Sequence, residues 1–88
     1  PIMAAADGVV SFAGARGLFG RIITIDHGHG LVTYYAHLDK ILKNEGERVR
    51  KGEIIAKMGD TGRTTGAHLH YEVQLNGVPV NPAKYIGK

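Results

Sequence analysis

His68-Leu69-His70-Tyr71-Glu72-Val73-Gln74-Leu75, followed by Asn76-Gly77 and then Val78-Pro79-Val80, decides the architecture. Polar and apolar side chains alternate along it with a period of two, which is the repeat of a strand with one face in a core and one face outside. Asn-Gly is the strongest two-residue signal for a tight hairpin, so the chain is expected to turn back on itself at residues 76 and 77. Pro79 has no N–H to donate to a neighbour, which puts the returning strand at the edge of its sheet.

Working outward, the same logic divides the rest of the 88 residues. Thirteen glycines, spaced every few residues, leave runs that are too short for ordinary helices and long enough for strands. Gly8-Val9-Val10-Ser11-Phe12-Ala13 is one such run. Residues 21–27 and 31–37 flank Gly28-His29-Gly30 and are expected to be antiparallel neighbours across a short loop. Ile54-Ile55-Ala56-Lys57-Met58 is a further strand, and Asn81-Pro82 opens a turn or a single helical turn over residues 83–86. The expectation is one small all-β domain of antiparallel strands.

Composition limits the chemistry. There is no cysteine, so disulfides and thiolate metal sites are excluded and histidine and carboxylate remain as the strong metal ligands. No apolar run approaches the roughly 20 residues of a membrane-spanning helix, so no membrane insertion is expected of this segment. Eleven Lys and Arg against eight Asp and Glu give a mild positive charge gathered around residues 40–51. That stretch has neither interleaved aromatics nor a recognition helix, and it reads as a solvated basic loop with no nucleic-acid partner. The glycine-rich run 59–66 lacks both Gly-Lys-Thr and a strand-to-helix context, and it is read as a flexible loop leading into the histidine strand rather than as a phosphate cradle.

Alternation puts His68 and His70 on one side of their strand, with Leu69, Tyr71 and Val73 packing on the other. Glu72 shares the histidine face, where a carboxylate can accept the distal N–H of a ligating imidazole and fix its tautomer. His37 ends another strand after Tyr34-Tyr35-Ala36 and says little by itself. His27 and His29 flank a turn with spacing that suits weak chelation, although turn histidines are more often structural.

Several segments in correct succession resemble the lysostaphin-type, LytM-like zinc metallopeptidases: residues 4–10 (AAADGVV), 25–28 (IDHG), 35–38 (YAHL), 49–52 (VRKG), 61–72 (TGRTTGAHLHYE) and 80–82 (VNP). The resemblance covers essentially the whole chain. It implies a small two-sheet β fold with at most a short terminal helical turn, and a zinc endopeptidase that hydrolyses peptide bonds of bacterial peptidoglycan, in the stem peptide or cross-bridge, outside the cytoplasm. It further implies that His70 is a zinc ligand and that His37 and His68 are the catalytic acid-base and transition-state groups. Which of His37 and His68 is the base stays open. The family's other two ligands, a histidine and an aspartate, precede the stretch matching Pro1-Ile2-Met3-Ala4. Residues 1–88 are therefore expected to be a single peptidase-type domain lacking its N-terminal segment and inactive alone.

Two rivals belong to other classes. One is a catalytically inactive relative that binds the wall or activates another hydrolase; the three histidines in their motif contexts favour the enzyme. The other is a biotinyl or lipoyl carrier, suggested by residues 46–54, which fails because Lys57-Met58 runs into Gly59-Asp60 instead of a modified Met-Lys-Met turn.

Overall fold

A computed structural model describes residues 1–58 and 69–85. The chain forms β1 (Ile2–Met3), β2 (Gly8–Ala15), a 3-10 turn (Gly17–Phe19), β3 (Arg21–Asp26), β4 (Leu31–Leu38), β5 (Lys40–Ile41), β6 (Arg48–Val49), β7 (Ile54–Lys57), β8 (His70–Leu75), β9 (Val78–Val80) and α1 (Pro82–Tyr85). The strands make two antiparallel sheets, a larger one in the order β6-β2-β3-β4-β8-β9 and a smaller one in the order β1-β7-β5. The all-β, two-sheet expectation therefore holds, with α1 as the short terminal helical turn.

The turn chemistry worked as read. Asn76 and Gly77 carry φ of 53° and 82°, the doubly positive pair of a type I′ turn, whose twist matches the flanking strands. β8 and β9 pair across it, and β9, with Pro79, is an edge strand. β3 and β4 pair as expected around Gly28-His29-Gly30, three consecutive residues at positive φ. The two turns support each other, because the Asn76 N–H donates to the Gly30 carbonyl at 2.8 Å.

Sequence patterning missed β1, β5 and β6, two-residue strands that no periodicity can reveal. The basic stretch is consequently more than a loop: β5 and β6 lie within it, and Val49 is buried between exposed Arg48 and Arg50. Lys43 pairs with Glu53 at 2.5 Å.

The core sits between the sheets. Val10, Ile23, Ile25, Tyr35 and Leu38 of the large sheet meet Ala4, Ile55 and Ala56 of the small-sheet side, with Val49 closing one end. Tyr35 is a large polar-tipped side chain buried here, and its oxygen accepts the Ala5 N–H at 3.0 Å and lies 2.8 Å from the Thr33 hydroxyl. Its ring packs on Tyr71, with centroids 5.4 Å apart. Burial raises the phenol of Tyr35, and burial followed by the neighbouring Tyr35 pushes Tyr71 up to about 12.

A folded-state phenol pKa above the unfolded value of ~10 means that the fold holds the proton. The associated stability is fully present below pH ~10 and is lost as pH rises toward about 12, since the native state then binds more protons than the unfolded one. The thermal midpoint is expected to fall across that window while part of the tyrosine absorbance change lags behind the rest. Simultaneous ionisation of every tyrosine near pH 10, with an unchanged midpoint, would contradict this.

Candidate functional site

Cross-strand register fixes which side chains share the outer face of the large sheet. Ala36 pairs with His70, Tyr34 with Glu72 and Val32 with Gln74, while Tyr35, Thr33 and Leu31 pair with Tyr71, Val73 and Leu75. The second set includes Tyr35, Tyr71 and buried Val73, so the first set is the face turned away from the core. His70, Glu72 and Gln74 therefore project together, as alternation along β8 required.

His37 reaches the same place by a different route. Simple alternation along β4 puts residue 37 with Tyr35 and Thr33 on the core face, away from His70. The register between β3 and β4 slips, however: Arg21 faces Leu38 whereas Ile23 faces Tyr35, so Ile22 stands opposite both Ala36 and His37. This is a β-bulge, the device by which a strand re-aims a side chain, and such bulges are over-represented next to active sites. His37 carries the irregularity, with φ of +62°, a conformation uncommon for any residue but glycine. After the bulge Leu38 returns to the core, and exposed His37 stands edge-on to His70 with ring centroids 5.9 Å apart.

His70 is half-exposed, and its Nε2 lies 3.5 Å from a Glu72 carboxylate oxygen. If the proton resides on Nε2, the lone pair of Nδ1 is left for a metal ion. The other Glu72 oxygen accepts from the Gln74 amide at 2.5 Å, and the Gln74 carbonyl oxygen accepts from the Tyr34 hydroxyl at 3.3 Å. Phe19, from the 3-10 turn between β2 and β3, lies beside His70 with ring centroids 6.1 Å apart. Its neighbour Leu18 is 98% exposed.

The structure thus brings together His37, His70 and Glu72. His68 lies outside the described residues, as does the glycine-rich run that precedes it. Phe19, Gln74 and Tyr34 were not singled out from the sequence. Gln74 was legible in principle, since it continues the period of two from His70 and Glu72. Phe19 was not, because only the fold carries the β2–β3 connection to residue 70.

The turn histidines are accounted for differently. His27 donates from Nδ1 to the Asp7 carbonyl at 2.6 Å, and its Nε2 lies 2.8 Å from the Thr33 hydroxyl, so both ring nitrogens serve the fold. Asp7 and Asp26 are likewise occupied, accepting from the backbone N–H of Lys51 and Gly28. His29 sits in the turn at φ 56°. Among the described residues no group of three histidines, aspartates or glutamates converges as a metal site. The donors present are nitrogen and oxygen, which suits zinc, but a three-ligand site needs donors beyond the described residues.

Comparison with known proteins places the chain among peptidases. The chain is 51% identical over 82 residues to the DD-carboxypeptidase/endopeptidase Mpg of Neisseria meningitidis serogroup B, covering 93% of the chain and 19% of that protein. It is 42% identical over 87 residues to lipoprotein NlpD of Yersinia enterocolitica, covering 98% of the chain and 89% of that sequence. The chain therefore spans about a fifth of the length of the first relative. Among solved structures, a zinc-containing peptidase from Vibrio cholerae aligns with a TM-score of 0.76 at 43% identity, over 85% of this chain and 23% of that one. The antimicrobial peptidase lysostaphin from Staphylococcus simulans aligns with a TM-score of 0.83 at 28% identity, over 98% and 38% respectively. The Peptidase family M23 profile matches residues 1–82, and with the two-sheet fold and the histidine face this establishes that the chain belongs to Peptidase family M23.

Proposed function

We propose that this domain, within its full-length protein, is a zinc-dependent endopeptidase that hydrolyses peptide bonds of bacterial peptidoglycan outside the cytoplasm. The observation that carries the proposal is the edge-on pair of His37 and His70 on one open face, with Glu72 behind His70. The Peptidoglycan DD-endopeptidase ShyC of Vibrio cholerae, 45% identical over 82 residues, supports the substrate, and the zinc-containing structural neighbour supports the metal.

In this reading His70 is a metal ligand, and the remaining ligands come from donors outside the described residues. With His70 among the residues that hold it, bound zinc would supply Lewis acidity to the attacking water and to the scissile carbonyl. His37 and His68 are the groups that accept and return protons, since an imidazole with a pKa near 6.5 exchanges a proton readily near neutral pH. Glu72 holds the proton on Nε2 of His70 and keeps the ring oriented. Phe19, beside His70, offers apolar contact to a peptide.

The similarity to lipoprotein NlpD also fits a second reading, an inactive module that binds the wall or activates a hydrolase. One experiment separates the two. The full-length protein is incubated with purified peptidoglycan, with and without a chelator, and with zinc restored. Release of soluble fragments that stops with the chelator and resumes with zinc is the expected result; sedimentation with the wall and no release under any condition would assign the inactive module instead.

A further inference from the structure

The outer face of β4 and β8 carries a continuous polar chain that runs from Tyr34 through Gln74 and Glu72 to His70. We propose that Gln74 is a positioning residue, which holds the Glu72 carboxylate against His70 and so determines which ring nitrogen of His70 is presented outward. The proposal rests on His70 as the metal ligand, and it adds a determinant of that site which does not touch the metal.

The geometry assigns each atom of the Gln74 amide. Tyr34 donates its hydroxyl proton to the Gln74 carbonyl oxygen at 3.3 Å, which leaves the amide nitrogen facing Glu72, where it donates at 2.5 Å. The register that sets Tyr34 directly opposite Glu72 brings its ring alongside both residues. A glutamine is the side chain that meets both demands, because its two ends are an acceptor and a donor. The contact it supports is a loose one. At 3.5 Å the His70 Nε2 to Glu72 distance is at the outer limit of a hydrogen bond, so the carboxylate by itself restrains the imidazole weakly. A second hydrogen bond to the other carboxylate oxygen removes the rotation that would let Glu72 swing to solvent, and a bond to an ionised acceptor is stronger than a neutral one. Phe19 is a further neighbour of the imidazole, with ring centroids 6.1 Å apart.

The test compares Gln74→Leu, Gln74→Glu and Gln74→Arg with the unaltered protein. Gln74→Glu is nearly isosteric but replaces the donor with a carboxylate facing Glu72, whereas Gln74→Arg restores a donor. In the isotope-labelled full-length protein stripped of metal, long-range nitrogen–proton NMR correlations report the His70 tautomer. The Nε2–H form is expected to dominate in the unaltered chain and in Gln74→Arg, with the Nδ1–H form rising several-fold in Gln74→Leu and further in Gln74→Glu. In the full-length protein, calorimetry is expected to show zinc binding weakened by roughly 10-fold in Gln74→Leu, at the low end for outer partners of a ligand, with recovery in Gln74→Arg. Identical tautomer ratios in the unaltered chain and Gln74→Glu would overturn the proposal, as would equal loss in all three variants, which would mark a packing role. If the unaltered full-length protein binds no zinc, the functional reading fails, and the tautomer ratios alone decide whether Gln74 positions the ring.

Discussion

His70→Ala in the full-length protein is expected to lose zinc, whereas His37→Ala and His68→Ala keep it and lose turnover. The first change removes a donor atom, so the fall in zinc affinity should exceed the roughly 10- to 100-fold that follows loss of an outer partner. The other two remove proton-transfer groups, for which losses of about 10²- to 10⁴-fold in turnover are ordinary. Bound metal measured beside peptidoglycan hydrolysis separates the classes. Stoichiometric zinc in His70→Ala would remove that residue from the ligand set, and full activity in His37→Ala would mean that the bulge at residue 37 serves the fold rather than the chemistry. His37→Gly adds a control, since glycine accepts the positive φ of this position and isolates loss of the imidazole from backbone strain.

Ile23→Ala is expected to produce the largest loss of stability. Ile23 is fully buried on β3, the strand at the centre of the β2-β3-β4 part of the large sheet, and packs in the core between the two sheets. Truncating such a side chain removes about 2–5 kcal/mol through lost burial and a cavity that neighbouring strands close only in part. Total stabilities of small domains are about 5–15 kcal/mol, so the variant loses a large share of its own. For a domain of this size each kcal/mol shifts the thermal midpoint by roughly 4–8 °C, giving an expected drop of ten degrees or more by circular dichroism. A drop below a few degrees would mean that β3 packs less tightly than its burial indicates. Val78→Ala, at an exposed edge-strand position, is the comparison and should change little.

The sequence by itself determined whatever depends on neighbours along the chain. Alternation put His70 and Glu72 on one face of β8, Asn76-Gly77 set the hairpin, and Pro79 marked the edge, because each follows from the dihedral preferences and two-residue repeat of a strand. The two-sheet fold, and the ligand role proposed for His70, were carried by ordered motifs recognised as a family resemblance, not by periodicity. Two-residue strands such as β1, β5 and β6 contain too few residues to show a repeat, and their partners lie far away in sequence. The tertiary structure decided the position of His37. A local rule assigns it to the core face, and only the slipped register against β3, with two residues opposite Ile22, turns it toward His70. The same holds for Phe19, brought against His70 by the β2–β3 connection, and for Tyr34, set opposite Glu72 by pairing between β4 and β8. Register is a relation between two strands, fixed by which pairing buries the most apolar surface across the sheet, and a single strand's sequence does not contain it.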